Sequence, residues 1–242
     1  MRYLIQLAYK GTNYHGWQKQ HNAHSVQSVL DEKISLLLAQ NIETLGCGRT
    51  DSGVHAKDFY AHFDAEGAVD CAGVVYRLNR MLPFDISVYD LKPVAENFNA
   101  RFDAVYREYE YWIIQKRDPF LVEEAWYQYG ELDVHVMNEA AQLLIGKKDF
   151  ECFSKVQTQV NNFICDVQFA EWKITDDKLV FTIRANRFLR NMVRAIVGTL
   201  VDAGKGRIKQ EDVKKILASK NRSEAGHSVP AHGLYLTRIA YE

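Results

Sequence analysis

Period-two and period-3.6 stretches of apolar residues alternate along the first hundred residues, and their order leaves few folds open. Tyr3 to Ala8 alternates as a strand, and Val26, Val29, Leu30, Ile34, Leu37 and Leu38 have helical spacing with Ser25 as N-cap. Ile42 to Leu45 reads as a short strand, and Phe59, Ala61 and Phe63 alternate with Tyr60, His62 and Asp64 in the next. A helix over 72–81 and a strand from Ile86 to Val94 complete a β-α-β-β-α-β order, that of a split βαβ unit. From Val105 the pattern begins again. A strand to Ile114 is followed by a helix capped by Asp133 with Val134, Met137, Ala141, Leu144 and Ile145 apolar, and by a hairpin of Phe163 to Ile174 with Leu179 to Ala185. Helices from Phe188 to Asp202 and from Glu211 to Ala218 precede a last strand from Leu234 to Tyr241. Ser219 to Ala231 carries Asn221, Ser223, Gly226, Ser228 and Pro230 and reads as a mobile loop. The expected class is α+β: two ferredoxin-like (split βαβ) halves, residues 1–104 and 105–242, with mostly antiparallel sheets and helices packed on one side.

Composition permits this and excludes several alternatives. A chain of 242 residues, 47% hydrophobic, has material for one large core or two ordinary ones. No apolar run is long enough to span a bilayer, and Met1-Arg2-Tyr3 leads into a strand pattern without a signal-like segment, so a cytoplasmic protein is expected. Cys47, Cys71, Cys152 and Cys165 are scattered and the histidines form no i, i+4 pair beside a glutamate; neither a metal site nor a disulfide framework is expected. The net charge of −1 does not signal nucleic acid. Its distribution is less even. Between Arg184 and Arg222 lie Arg187, Arg190, Arg194, Lys205, Arg207, Lys209, Lys214, Lys215 and Lys220, against Asp202, Glu211 and Asp212 alone. Such a patch suits phosphates, and also suits a solvated helix face. In the helix expected from Phe188, Leu189, Met192, Val193, Ile196, Val197 and Leu200 form an apolar stripe, with Arg187, Asn191 and Arg194 opposite.

The densest chemistry lies between the second and third strands, in Gly46-Cys47-Gly48-Arg49-Thr50-Asp51-Ser52-Gly53-Val54-His55-Ala56. Asp-Ser-Gly alone is a common turn, but a turn needs neither Arg49 nor His55. Gly-Arg-Thr-Asp-Ser-Gly-Val-His resembles the signature of the tRNA pseudouridine synthase A family. Five further blocks resemble that family in the same order: Tyr9 to Gln20 with its Tyr-His-Gly-Trp-Gln loop; Ser25 to Leu30; Phe98 to Phe102 with Arg107-Glu108-Tyr109-Glu110-Tyr111; Phe188 to Arg194; and Pro230 to Leu236.

The resemblance implies an enzyme that isomerises uridine to pseudouridine in the anticodon stem-loop of tRNA, around positions 38 to 40, as a homodimer and without a cofactor. It implies an active-site cleft between the two halves, with Asp51 as catalytic carboxylate and Tyr109, Arg49 and Arg194 as substrate-binding residues. Tyr109 would stack on uracil, Arg194 would keep the carboxylate ionised, and Arg49 would occupy the position vacated when the uridine flips out. Taken alone, Tyr109 reads first as a packing residue, His55 as structural and Cys47 as a small packing residue. Trp17 and Gln18 would support the Asp51 loop or touch RNA. Lys148, Ser154 and Gly226-His227-Ser228-Val229 depart from the family pattern. A non-catalytic RNA-binding module would not need the Arg49-Thr50-Asp51 string, and a glycoside hydrolase would need a second carboxylate, whereas none follows Asp51 before Asp58.

Overall fold

The computed structural model of the chain describes residues 1–155 and 162–241. Two compact units divide it: Met1–Val105 together with the chain from Leu236 onward, and Tyr106–Tyr235. The expected division at residue 105 had left the last strand wholly in the second half. Instead, most of its length clusters with the first unit.

In the first unit, β1 (Arg2–Tyr9) lies between β3 (His55–Asp64) and β4 (Ile86–Val94) and is antiparallel to both. The two-residue β2 (Leu45–Gly46) pairs antiparallel with β3, and β10 (Leu234–Ala240) also neighbours β3. A register shift where Gln6 faces Asp90 but Leu7 faces Val88 explains why the buried residues of β4 change parity from Ile86 and Val88 to Leu91. Helix α1 (Val26–Leu38) begins in a capping box, with the Ser25 hydroxyl accepting from the Ser28 N–H. Helix α2 (Cys71–Met81) is capped by Asp70, packs on β4 and touches α1. The outermost strand of the path, β4, has its Val88 N–H and C=O both bonded to the Asn79 side chain. That occupies groups an edge strand would otherwise offer to another chain.

The strand expected over Ile42 to Leu45 shrinks to β2 because its backbone is claimed by α1. The Ile42 N–H donates to Ser35 Oγ (2.9 Å) and the Thr44 N–H to Asp31 Oδ1 (3.0 Å), so only Leu45 and Gly46 reach the ladder.

The second unit orders β5 (Tyr106–Ile114), β9 (Lys178–Ala185), β8 (Ile164–Thr175) and β7 (Gly146–Asp149) by antiparallel pairing, with the short β6 (Trp126–Tyr127) parallel to β5. A bulge between Val167 and Phe169 moves burial on β8 from Cys165 and Val167 to Ala170 and Trp172. The β8–β9 turn places Asp176 and Asp177 at φ 47° and 63°, the twist a two-residue hairpin favours. Helix α3 (Val134–Gln142), capped by Asp133, packs on β8 and on α4 (Met192–Gly204), and α5 (Gln210–Ser219) packs on α3. The fold class is α+β, and among the described residues no helix is long and apolar enough to cross a membrane.

Two expectations fail in this unit. Helix α4 starts at Met192, not at Phe188, because Asn191 sits at φ 67°, outside helical geometry. Arg187, Phe188 and Arg190 therefore precede the helix, and α4 is buried on nearly every side, Arg194 and Asp202 being half-buried exceptions. The loop read as mobile is tied down. Arg222 donates to the carbonyls of Ala225 (3.3 Å) and Gly226 (3.0 Å) and to Ser228 Oγ (2.8 Å), and Gly226 N–H donates to Thr199 Oγ1 at 2.8 Å. Gly198 and Gly226 let loop and helix touch backbone to backbone: a Cβ on Gly198 would strike the His227 carbonyl, and one on Gly226 the Thr199 backbone.

Candidate active site

The loop carrying Asp51 leaves β2 at Gly46 and re-enters the sheet at His55, its first end fixed to β3 and its second to the segment after β1. At the first end, Cys47 N–H donates to the Tyr60 carbonyl at 2.8 Å, and Cys47 is fully buried, as expected of a packing residue. At the other end, His55 is buried and its Nδ1 accepts the Gly11 N–H at 2.9 Å, so the ring proton of the neutral imidazole resides on Nε2. His55 is thereby structural, closing the loop onto the residues that follow β1.

Between these anchors Thr50 is held from two sides. Its hydroxyl lies 2.9 Å from the Tyr9 hydroxyl and accepts the Trp17 N–H at 3.1 Å. Trp17 is itself buried, its ring 4.2 Å from Phe59 and 6.3 Å from Tyr9, so the clamp rests on the aromatic core of the unit. Gly16, at φ +83°, brings its backbone so close that a Cβ there would strike the Thr50 carbonyl. Beyond Asp51 the chain turns: Val54 N–H donates to the Asp51 carbonyl (3.2 Å), Gly53 sits at φ +79°, and Ser52 Oγ and Gly53 N–H both donate to the Tyr14 carbonyl. The peptide units on both sides of Asp51 are therefore fixed while its carboxylate stays half-exposed.

Arg49 is exposed and its Nε donates to Gln18 Oε1 at 3.2 Å. Gln18 in turn donates to Gln27 Oε1 (2.8 Å), and Gln27, buried on α1, donates to the Thr44 carbonyl (2.6 Å). Trp17 and Gln18 thus both support the Asp51 loop, one through packing and one through Arg49. Sequence reasoning missed Gln27 and Asp31, although each is a polar residue at an otherwise apolar position of an amphipathic helix. Asp31 is buried, with Oδ1 accepting from both the N–H and the hydroxyl of Thr44; burial raises its pKa against those two hydrogen bonds.

In the second unit, Tyr109 lies on β5 opposite Ile183, half-exposed, its ring edge-on to Phe188 at 5.0 Å. Arg194, in the first turn of α4, donates from Nε to the Val229 carbonyl at 2.7 Å, and the Val229 N–H donates back to the Arg194 carbonyl. The neighbouring Tyr111 is fully buried with its hydroxyl on the Pro230 carbonyl (2.8 Å). Burial drives its pKa upward, opposed by the Arg194 charge. Burial lowers the pKa of His232, opposed by its hydrogen bond with the Ala125 backbone and by Glu123, with the Arg194 charge the smallest contribution, also lowering it.

The basic patch is less open than its sequence suggests. Arg184 pairs with Glu108 (2.6 Å), Arg207 with Asp202 (2.9 Å), Lys215 with Asp212 (2.9 Å) and Lys220 with Asp149 (2.8 Å). Lys148 donates to the carbonyls of Leu143 (2.6 Å) and Ile145 (2.5 Å), so this departure from the family pattern finishes the C-terminal end of α3. Among the described residues no group of three or more His, Cys, Asp or Glu is arranged to hold a metal ion.

Fold and loop together define a class: an α+β protein presenting one carboxylate and one guanidinium on a braced loop between antiparallel strands. A model of the family described as tRNA pseudouridine synthase matches residues 140–242. Over nearly the whole chain it is similar to the tRNA pseudouridine synthase A of Bacteroides thetaiotaomicron, at 47% identity over 99% of this chain and 90% of that protein. It is 45% identical to that of Parabacteroides distasonis, over 99% of this chain and 96% of that protein. With that of Bacillus licheniformis it shares 38% identity over 100% of both. The chain belongs to the tRNA pseudouridine synthase A family.

Proposed function

We propose that Asp51 is the catalytic carboxylate with which this tRNA uridine-to-pseudouridine isomerase acts on the anticodon stem-loop, around positions 38 to 40. The reaction breaks the N-glycosidic bond, turns the detached base and rejoins it to the ribose through C5, with loss of the C5 proton. It is redox-neutral, and one ionised carboxylate is enough to begin it. Three openings fit Asp51 equally: attack on C6 of the base, attack on C1′ of the ribose, or removal of the 2′ proton. The observation that carries the proposal is the bracing of Thr50 and Gly53 on either side of a half-exposed Asp51, since a mere turn needs no such support.

The remaining roles follow from chemistry. Arg194 binds the substrate through its guanidinium, Tyr109 stacks on the uracil and exchanges a proton at C5, and Arg49 fills the stack when the uridine leaves it. We read the first unit as a ferredoxin-like split βαβ, which the order β4-β1-β3 with β2 on β3 supports, and the second as its counterpart. The working form is a cytoplasmic homodimer. Incubating the protein with unmodified tRNA and no added cofactor, then mapping pseudouridine, tests the proposal. Product at positions 38 to 40 is expected, and product confined to other arms of the tRNA would refute the assignment.

A further inference from the structure

We propose that Gln18 is a positioning residue for Arg49, its polarity dictated from the protein interior by Gln27. The inference rests on the reading of Arg49 as the group that enters the RNA stack. A side-chain amide can face either way, and only its partners decide which end is oxygen. Here two backbone groups decide. The Lys19 N–H donates at 2.9 Å to one end of the Gln27 amide, which must be Oε1; the Thr44 carbonyl accepts at 2.6 Å from the other, which must be Nε2. Because Gln27 Oε1 faces Gln18, the near end of Gln18 must be its NH₂, at 2.8 Å. Its carbonyl oxygen is then obliged to face outward, where it accepts from Arg49 Nε.

The anchor is rigid. Gln27 is buried on α1, and the Thr44 segment it grips is held a second time by Asp31. Arg49, by contrast, is an exposed side chain on a loop. Engaging Nε leaves the two terminal nitrogens of the guanidinium turned away from Gln18, free of this contact and available to RNA. The relay Thr44–Gln27–Gln18–Arg49 thus transmits the geometry of α1 to the residue at the flipping step, without any of the first three touching the reacting atoms.

The test is a double-mutant cycle in single-turnover assays on two tRNAs, one with the target uridine base-paired and one with its partner changed to leave a mismatch. Gln18→Met keeps the length of the side chain and removes both polar ends. It should slow the paired substrate on the order of fivefold and the mismatched one less, because a mismatched base costs less to flip. Arg49→Ala should show the same pattern more strongly, and adding Gln18→Met to it should change nothing further. Gln18→Glu retains an acceptor towards Arg49 but sets a carboxylate oxygen against Gln27 Oε1, so on the paired substrate it should fall between wild type and Gln18→Met. A Gln18→Met defect that persists undiminished in the Arg49→Ala background, or that Glu shares in full, would overturn the relay. If Arg49→Ala shows the pair-dependent defect and Gln18→Met does not, the relay fails while the role of Arg49 stands. If Arg49→Ala shows none, both fall together.

Discussion

At the scale of single residues, the structure separates what holds the Asp51 loop from what the loop presents. His55, Thr50 and Cys47 face inward and are bonded or packed, whereas Arg49 and Asp51 retain access to solvent. Tyr109 is where packing and chemistry make different demands. Its ring meets Phe188 edge-on, a contact that phenylalanine would keep, and its hydroxyl is what the proposed proton exchange needs. Tyr109→Phe should therefore leave tRNA affinity unchanged while slowing single turnover about a hundredfold, the usual scale for a lost general acid or base. A rate equal to wild type would leave Tyr109 as a stacking surface only. Asp51 and Arg49 were legible in the sequence because their signature is contiguous. The clamp on Thr50 was not, since Tyr9 and Thr50 are 41 residues apart and nothing local marks either hydroxyl as a partner for the other.

At the scale of elements, strands and helices with strong periodicity were readable: β4 and β5, the α1 cap at Ser25 and the α3 cap at Asp133. The misses have three causes: tertiary bonding that overrides local pattern, a left-handed backbone residue, and strands too short to show a period. Asp31 and Ser35 draw the residues before β2 out of the sheet, and Asn191 in a left-handed conformation delays α4. Short β6 and β7 carry too few residues for an alternation to register. The Gly16 turn packs tightly against the Asp51 loop, and this yields a sharp expectation. Gly16→Ala adds a side chain at φ +83° and drives its Cβ into the Thr50 carbonyl. The backbone strain alone costs on the order of 1–3 kcal/mol, and relieving the contact displaces the peptide next to Asp51. Urea unfolding should show the loss of stability, and turnover should fall further than affinity. A variant as stable and as active as wild type would mean that the turn does not brace the loop.

At the scale of the whole molecule, the net charge of −1 and the paired lysines and arginines leave RNA binding to a limited set of cations rather than to bulk charge. Stability carries its own pH signature. His62 is buried, its Nδ1 accepts the Ala100 N–H at 3.1 Å, and burial, then Arg2, lower its pKa against the opposing pull of Asp64 and Asp103. A histidine whose folded pKa lies below its unfolded value gives stability that is complete above about pH 6.5 and is lost as pH falls through the folded value, because the unfolded chain binds the proton first. Denaturation midpoints of wild type should therefore drop between about pH 7.5 and about pH 5.5 by more than those of His62→Gln, which keeps an acceptor but cannot titrate. Parallel drops would assign the acid sensitivity elsewhere. The central claim is tested most directly by Asp51→Asn in a single-turnover assay on unmodified tRNA, because the change removes one charge with little change of shape. Pseudouridine formation should fall by several orders of magnitude while tRNA affinity and thermal stability stay close to wild type; turnover within about tenfold of wild type, a barrier change of only about 1.4 kcal/mol, would contradict it.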